Sequence, residues 1–125
     1  MGDPRQQLGM AAEEAVASWL EGYGWRIMAR RHRSPTGGEV DLIALDPGDV
    51  LVAIEVRARR TERTGTGSES IDRNRTARIG RTLASFGCKT DAPHRGLRVD
   101  LVTVSPMPGP ADRWRVRRIP NIGAW

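Results

Sequence analysis

The chain has 125 residues, the size of one small domain, and its single cysteine excludes an internal disulfide and a cysteine-rich zinc site. No apolar run approaches the roughly 18 residues that a membrane helix needs. The N-terminus also lacks the basic stretch and apolar core of a secretory signal. These features predict one domain over residues 1–125 that has no membrane partner and resides in a reducing cytoplasm.

The net charge of +5 is unevenly distributed along the chain. Residues 1–50 carry five basic and eight acidic side chains, whereas residues 51–125 carry fifteen basic and seven acidic ones. Lys89 is the only lysine, so almost all of this positive charge is arginine. GC-rich codon usage explains an arginine bias, and a basic face for phosphates explains why the charge is concentrated in one half. The skew favours a phosphate-binding face.

The first half of the chain predicts one helix and three strands. Residues 8–22 form the helix, with one apolar stripe that recurs at helical spacing and consists of Leu8, Ala12, Ala15, Trp19 and Tyr23. A short strand at 25–31 and a turn at 34–38 follow. Two further strands, at 39–46 and 50–58, are joined by a tight PGD hairpin.

The second half begins with a polar, glycine-containing loop at 60–69. A helix at 70–86 follows, with one apolar face made by Ile71, Ile79, Leu83 and Phe86. A clearly alternating strand at 96–105 ends at PMPGP, and RWRVRRI at 113–119 is typical of an edge strand that carries charge outward. The element order α-β-β-β-α-β-β predicts an α/β fold with a central mixed sheet flanked by helices.

The hairpin places acidic side chains close together. If the loop occupies residues 46–50, Asp41 lies across from Glu55 and Glu39 lies across from Arg57, with Cβ atoms about 5 Å apart. Alternation along the strand puts Val40 with Leu42 and Ala44 on the face opposite Asp41.

Two such carboxylates repel each other unless a cation lies between them. Mg²⁺ prefers carboxylate oxygens, and it could activate a water and neutralise charge on a phosphodiester. The ordinary alternative is a lattice of salt bridges on a solvated sheet face, with Glu39 bound to Arg57 and Asp41 bound to a nearby arginine. Spacing alone favours the salt bridges, because exposed ion pairs are common.

Five segments, taken in order, resemble the YraN family of predicted endonucleases. They are the L-G-x-x-A-E sequence at 8–13, GEVDLIALD at 38–46, VAIEVRAR at 52–59, the arginine-rich helix at 73–81 and RVDLV at 98–102. The match runs from about Leu8 to Val104 and recurs weakly at RIPNIGAW. The resemblance implies a restriction-endonuclease-like fold, related to Holliday-junction resolvases, with a PD-(D/E)-x-K type site.

The resemblance also implies a role for each matching residue. Asp41 would be the metal-binding aspartate and Glu55 the second acid, with Mg²⁺ or Mn²⁺ as the ion. Glu39 matches the glutamate of the family's GE pair, and Glu13 matches a helical glutamate that reaches the metal through water. Arg57 stands where the family has a lysine.

The arginine at position 57 leaves two interpretations open. A desolvated lysine can lose its proton and act as a base, whereas arginine, with a pKa above about 12, cannot. If the family lysine is a base, this site is impaired. If the lysine only positions water or holds the phosphate, arginine serves as well.

The expected partner is DNA, of branched or single-stranded form. The best candidates for phosphate contacts are Arg59, Arg60, Arg73, Arg75, Arg78 and Arg81, and the alternative for them is an ordinary solvated helix face. Arg75 lies about where the family has a helix lysine, one turn from Ile79, so it could point toward the sheet. Related nucleases often cut two strands in pairs, which makes a homodimer a further expectation.

The leading hypothesis is therefore a metal-dependent DNA endonuclease. One rival is a catalytically inactive nucleic-acid-binding module derived from such a nuclease. Another is a structural or partner-binding protein whose basic skew reflects codon usage alone.

Overall fold

The computed structural model describes residues 3–35, 38–59, 72–109 and 113–123. The elements, in chain order, are α1 (Pro4–Gly22), β1 (Arg26–Arg33), β2 (Glu39–Leu45), β3 (Leu51–Ala58), α2 (Arg73–Lys89), β4 (Leu97–Pro106) and β5 (Trp114–Ile119). The five strands form one sheet in the order β1-β2-β3-β4-β5, antiparallel except for the parallel pair β3 and β4. A mixed sheet flanked by two helices confirms the predicted fold class and is consistent with a restriction-endonuclease-like fold. The assignment of residues 1–125 to one domain stays a prediction.

Both helices begin at an aspartate that caps their first turn. Asp3 Oδ1 accepts a hydrogen bond from Arg5 N–H (3.0 Å), and proline fits the next position because its missing N–H would be unpaired there anyway. The helix α1 therefore starts four residues before the predicted Leu8. Asp72 caps α2 in the same way, and α2 ends at Lys89, three residues later than predicted.

The helix α1 packs on one face of the sheet through a stripe different from the predicted one. Its buried residues include Val16 and Leu20, which lie against Leu42, Val52 and Ile54. The predicted stripe was partly wrong, because Trp19 is only partly buried and Tyr23 is 68% exposed just beyond the helix end. The stripe with Val16 and Leu20 overlaps the predicted stripe with Trp19 on this helix, and the aliphatic stripe is the one that faces the sheet.

The helix α2 covers the opposite face. Ile79 and Leu83 are buried there against Ile43, Ala53 and Val99, and Phe86 is partly buried beside them, as predicted. Ile71 lies outside the described residues. The central strand β3 is consequently buried on both faces, which explains its nearly continuous apolar sequence.

The edge strand β5 alternates as predicted. Trp114 and Val116 pack inward against the α1 side of the core, whereas Arg115 and Arg117 are exposed. Charged side chains on an edge strand disfavour pairing with other chains. No helix in the described ranges is long and apolar enough to cross a membrane.

Gly38 is a point of close approach between the β1–β2 connection and α2. Its carbonyl accepts a hydrogen bond from Ser34 N–H (2.7 Å), which closes the turn. A Cβ atom at position 38 would collide with Thr82 Oγ1, and Thr82 is buried on α2. The glycine of the GEVDLI segment is therefore required by packing, and it fixes α2 beside the strand that carries Asp41.

Candidate metal and nuclease site

The β2–β3 hairpin has the predicted register over its paired length. Leu42 pairs with Ile54 and Ile43 with Ala53, and the described ladder extends no further toward Asp41. Instead, Asp41 Oδ2 accepts a hydrogen bond from Val56 N–H on β3 (2.8 Å). The two strands thus separate at this end, and the Asp41 carboxylate replaces the next ladder bond. The direct pairing of Asp41 with Glu55 that was predicted is not formed.

The alternation of side chains breaks at Arg31 of β1, whose φ of 48° is left-handed. Past this point His32 packs edge-to-face on Phe86 of α2, with ring centroids 5.1 Å apart. Val40 pairs with His32 and joins the α2 side of the core, whereas Leu42 lies on the α1 side. The prediction that Val40 shares a face with Leu42 was wrong, because β2 follows the irregularity of its neighbour.

Glu13 reaches this end of the sheet from α1. Its Oε1 accepts a hydrogen bond from Arg31 Nε (2.9 Å). This bond and the charge of Glu13 raise the pKa of Arg31, against a lowering effect of burial. Sequence reasoning missed Arg31, and the only signal was its place in the basic run ARRHR.

Glu55 is buried in β3, directly after the last residue paired with β2, with 7% of its side chain exposed. Its Oε1 is paired with Nε of Arg75 from α2, whose own side chain is 51% exposed. Arg75 therefore does point toward the sheet, as its position one turn from Ile79 predicts. Whether it also contacts nucleic acid stays a prediction.

The pKa of Asp41 is raised by burial and by these neighbouring acids. Burial raises its pKa to about 6, and repulsion from Glu13 and Glu55 acts in the same direction. The hydrogen bond from Val56 and the charge of Arg75 oppose that rise without cancelling it. Three carboxylates from α1, β2 and β3 thus influence one another at one end of the sheet.

Glu39 and Arg57 are placed differently from their predicted pairing. Glu39 Oε2 is bound to Arg33 Nη2 (2.9 Å) across the β1–β2 pair, at the exposed edge. Arg57 is half-buried and lies opposite Thr103 in the parallel ladder with β4. A salt-bridge lattice does exist here, but its partners were predicted incorrectly because they come from β1 and α2. The catalytic roles of both residues stay predictions.

The predicted phosphate contacts are largely exposed. Arg73, Arg78 and Arg81 are exposed on α2. Arg59 follows β3 and is half-buried, and its backbone N–H donates to Val104 O (2.8 Å). Arg60 lies outside the described residues. The helix that carries Arg75 to Glu55 therefore also presents a basic surface to solvent.

The donor chemistry of the site suits a hard divalent cation. Within the described ranges, no three His, Cys, Asp or Glu side chains are placed to hold a metal ion together. Mg²⁺, however, is commonly bound through one or two carboxylates, with waters and substrate phosphates completing its shell. Asp41 and Glu55 are the two carboxylates that would hold such an ion, and the ion would relieve the repulsion at Asp41.

A second buried acid, Asp100 of β4, was missed by sequence reasoning. It is fully buried and accepts hydrogen bonds from Arg98 Nε (2.9 Å), Arg118 Nη1 (2.8 Å) and Asn121 N–H (2.9 Å). Arg98 also binds Asp46 at the β2–β3 turn (2.9 Å). The available signal was an arginine and an aspartate two positions apart in an otherwise apolar strand. The RVDLV segment is thus a structural tie between β4, β5 and the hairpin turn.

Comparison with known proteins identifies relatives that cover between 63% and 93% of the chain. A protein of Symbiobacterium thermophilum is 39% identical over 116 residues, which cover 93% of this chain and 95% of the relative. Proteins of Anaeromyxobacter dehalogenans (36% over 104 residues, 83% and 76% covered) and Pelotomaculum thermopropionicum (47% over 79 residues, 63% and 64% covered) are also similar. All three are described as UPF0102 proteins.

The matching family profile is described as "Uncharacterised protein family UPF0102", and it matches residues 12–104. That range contains Glu13, Asp41, Glu55 and Asp100. The chain therefore belongs to the UPF0102 family, which is the YraN family that its motifs resemble.

Proposed function

We propose that this protein is a metal-dependent DNA endonuclease of the PD-(D/E)-x-K type. The observation that carries the proposal is the gathering of Glu13, Asp41 and Glu55 from three elements at the end of the sheet where β2 and β3 separate. Folded proteins disperse like charges unless a task requires them together, and perturbed carboxyl groups concentrate at functional sites.

Asp41 and Glu55 would hold Mg²⁺ or Mn²⁺, which supplies a positive charge for the phosphate and a bound water of lowered pKa. Arg57 lies two residues beyond Glu55 and holds a fixed positive charge at neutral pH. Its part is to bind and orient a phosphate oxygen, since a guanidinium cannot accept the proton of an attacking water.

Nucleic acid would be bound mainly through its phosphates. The exposed arginines of α2, together with Arg59, offer planar donor pairs that match phosphate oxygens. Binding of this kind weakens steeply as salt rises, because each neutralised phosphate releases counterions. Branched and single-stranded DNA are the substrates that we propose to test first.

The test is cleavage of labelled single-stranded, duplex and four-way-junction DNA with Mg²⁺ or Mn²⁺. We expect the wild-type protein to cut in the presence of metal and Asp41→Ala to lose at least about a hundredfold in rate, the scale of a lost charge-stabilising group. Circular dichroism should show that Asp41→Ala remains folded. Retained cleavage by this variant would refute the site.

A second function, nucleic-acid binding without catalysis, is favoured by one observation. Glu55 is already neutralised by Arg75, and position 57 lacks the family lysine. This alternative predicts salt-dependent DNA binding that needs no metal, and no cleavage by wild type. Cleavage gained by Arg57→Lys would then identify a nuclease scaffold that has lost its catalytic cation.

A further inference from the structure

Two arginines interact electrostatically with Asp41, and each is bound to a different neighbouring carboxylate. Arg31 of β1 binds Glu13 of α1, and Arg75 of α2 binds Glu55 of β3. The two helices lie on opposite faces of the sheet, so the ion pair that involves α1 and the ion pair that involves α2 lie on opposite faces. We call these two residues the arginine pair.

In each ion pair the arginine is the more exposed partner. The side chains of Arg31 and Arg75 are 47% and 51% exposed, whereas those of Glu13 and Glu55 are 22% and 7% exposed. A guanidinium that already contacts water loses little when it leaves, but a buried carboxylate requires another cation in its place. The arginine is therefore the partner that can exchange.

The backbone of β1 is distorted in a way that delivers Arg31 to this position. Successive strand residues normally point to opposite faces, yet Arg30 and Arg31 both bind α1, through Glu14 and Glu13 respectively. The left-handed φ of Arg31 makes this possible. Non-glycine residues rarely keep such a conformation unless the surrounding contacts hold it, and these outliers concentrate at functional sites.

We propose that Arg31 and Arg75 are exchangeable counter-ions of the acidic site. In the metal-free protein they neutralise Glu13 and Glu55. When a divalent cation binds beside Asp41, they release the acids and turn to phosphate oxygens of the bound nucleic acid. This inference rests on the proposed function, and it makes both arginines positioning residues.

The exchange has a measurable thermodynamic consequence. A cation that must displace an arginine binds more weakly than it would to the same acids alone, because the two compete for the same oxygens. Removing either arginine should therefore tighten metal binding. It should also lower the thermal midpoint of the metal-free protein, since an acid then loses its counter-ion.

The experiment is calorimetric titration of the full chain with Mn²⁺, without nucleic acid. We expect Arg31→Ala and Arg75→Ala to bind Mn²⁺ about fivefold more tightly than wild type, the scale of one partly exposed ion pair. The matched control is Arg78→Ala, which removes the same charge one turn further along α2 and should change the affinity less than about twofold. Arg31→Lys, which keeps the charge, should stay closer to wild type than Arg31→Ala.

Thermal unfolding is the second measurement, and it remains informative if a variant folds poorly. Without metal, both alanine variants should melt below wild type, and saturating Mn²⁺ should raise their midpoints more than that of wild type. Equal Mn²⁺ affinity in wild type and both variants, or an equal gain in Arg78→Ala, would overturn the exchange and leave the nuclease proposal intact. Absence of Mn²⁺ binding by wild type would instead overturn the proposed function, and the exchange with it.

Discussion

The two strands that flank β3 each hold an aspartate among arginines, Asp41 on β2 and Asp100 on β4, but in opposite electrostatic conditions. Asp100 accepts hydrogen bonds from two guanidinium groups and from a backbone N–H, so its charge is fully compensated. Asp41 accepts its hydrogen bond from Val56 N–H and faces two further acids, which help to raise its pKa to about 6. The Asp100 cluster is built for stability, whereas the site around Asp41 gathers like charges.

The acids of two sequence motifs, Asp41 and Asp100, therefore have different roles in this chain. The arginine–aspartate pair of β4 is satisfied by the protein's own charged groups, whereas Asp41 accepts a backbone hydrogen bond and is repelled by Glu13 and Glu55. A buried acid surrounded by opposite charges serves the architecture, and one whose pKa is raised by like charges marks a candidate functional site. Substitutions at the two aspartates should therefore have opposite effects on stability.

The largest effect is expected from Asp100→Asn. The substitution leaves Arg118 and part of Arg98 as partly buried charges without their acid, so unfolding should become easier by about 3 kcal/mol, the lower part of the range for a broken buried ion pair. Urea denaturation at pH 7 measures the change. A loss below about 1 kcal/mol would show that the Asp100 cluster carries no more stability than an exposed ion pair.

The next effect has the opposite sign and comes from Asp41→Asn. The folded chain keeps the proton of Asp41 up to about pH 6, whereas the ordinary pKa is 3.8. Stability contributed by the neutral form is thus complete below pH 3.8 and is lost as pH rises through about 6. An uncharged amide at this position would avoid that loss, so the variant should exceed wild type by about 2 kcal/mol at pH 8 and match it near pH 4.

Denaturant titrations of both proteins at pH 4, 6 and 8, without divalent metal, provide the measurement. The difference in unfolding free energy between the variant and wild type should be close to zero at pH 4 and largest at pH 8. A difference of the same size at all three pH values would indicate that the substituted amide changes packing or hydrogen bonding and that the charge of Asp41 has no part in the effect.

The smallest effect is expected from Asp46→Asn at the hairpin turn. Burial works to raise the pKa of Asp46, but hydrogen bonds from Val50, Arg98 and Gly48 outweigh it, so the pKa is lowered. Its contribution to stability is present above the ordinary pKa of 3.8 and is lost as pH falls through the lower folded value. We expect the variant to lose about 1 kcal/mol at pH 7 and progressively less in acid. An unchanged unfolding midpoint at pH 7 would remove Asp46 from the structural cluster.

Local pattern predicted much of this architecture. The position of the PGD turn between the two strands was sufficient to give the hairpin register, because the length of the loop fixes which residues lie opposite each other. The inward direction of Arg75 followed from its spacing to Ile79. These features depend on residues near one another in sequence.

The failures depend on contacts between distant elements. Val40 changes face because Arg31 adopts a left-handed backbone, and nothing in an arginine's chemistry predicts that conformation. The partners of Glu13, Glu39 and Glu55 come from β1 and α2, whose positions a two-strand pattern does not contain. The hydrogen-bond partners of Asp100 could not be predicted either, because Arg118 and Asn121 come from β5 and the C-terminal segment, which lie beside β4 only in the folded chain.

The parallel pairing of β3 with β4 has a consequence for the order of folding. Glu13, Asp41 and Glu55 all lie in α1 and the three-strand meander, which forms through short connections, whereas Leu51 must wait for Leu97 before β3 and β4 can join. Contacts between distant residues form slowly because loop closure costs entropy. During synthesis, which proceeds from the N-terminus, the ribosome therefore releases the three acids before Arg75 and before the second half of the sheet. Arg31 is already present to pair with Glu13, but Glu55 is made before Arg75, so dissolved cations are available to neutralise Glu55 until α2 forms.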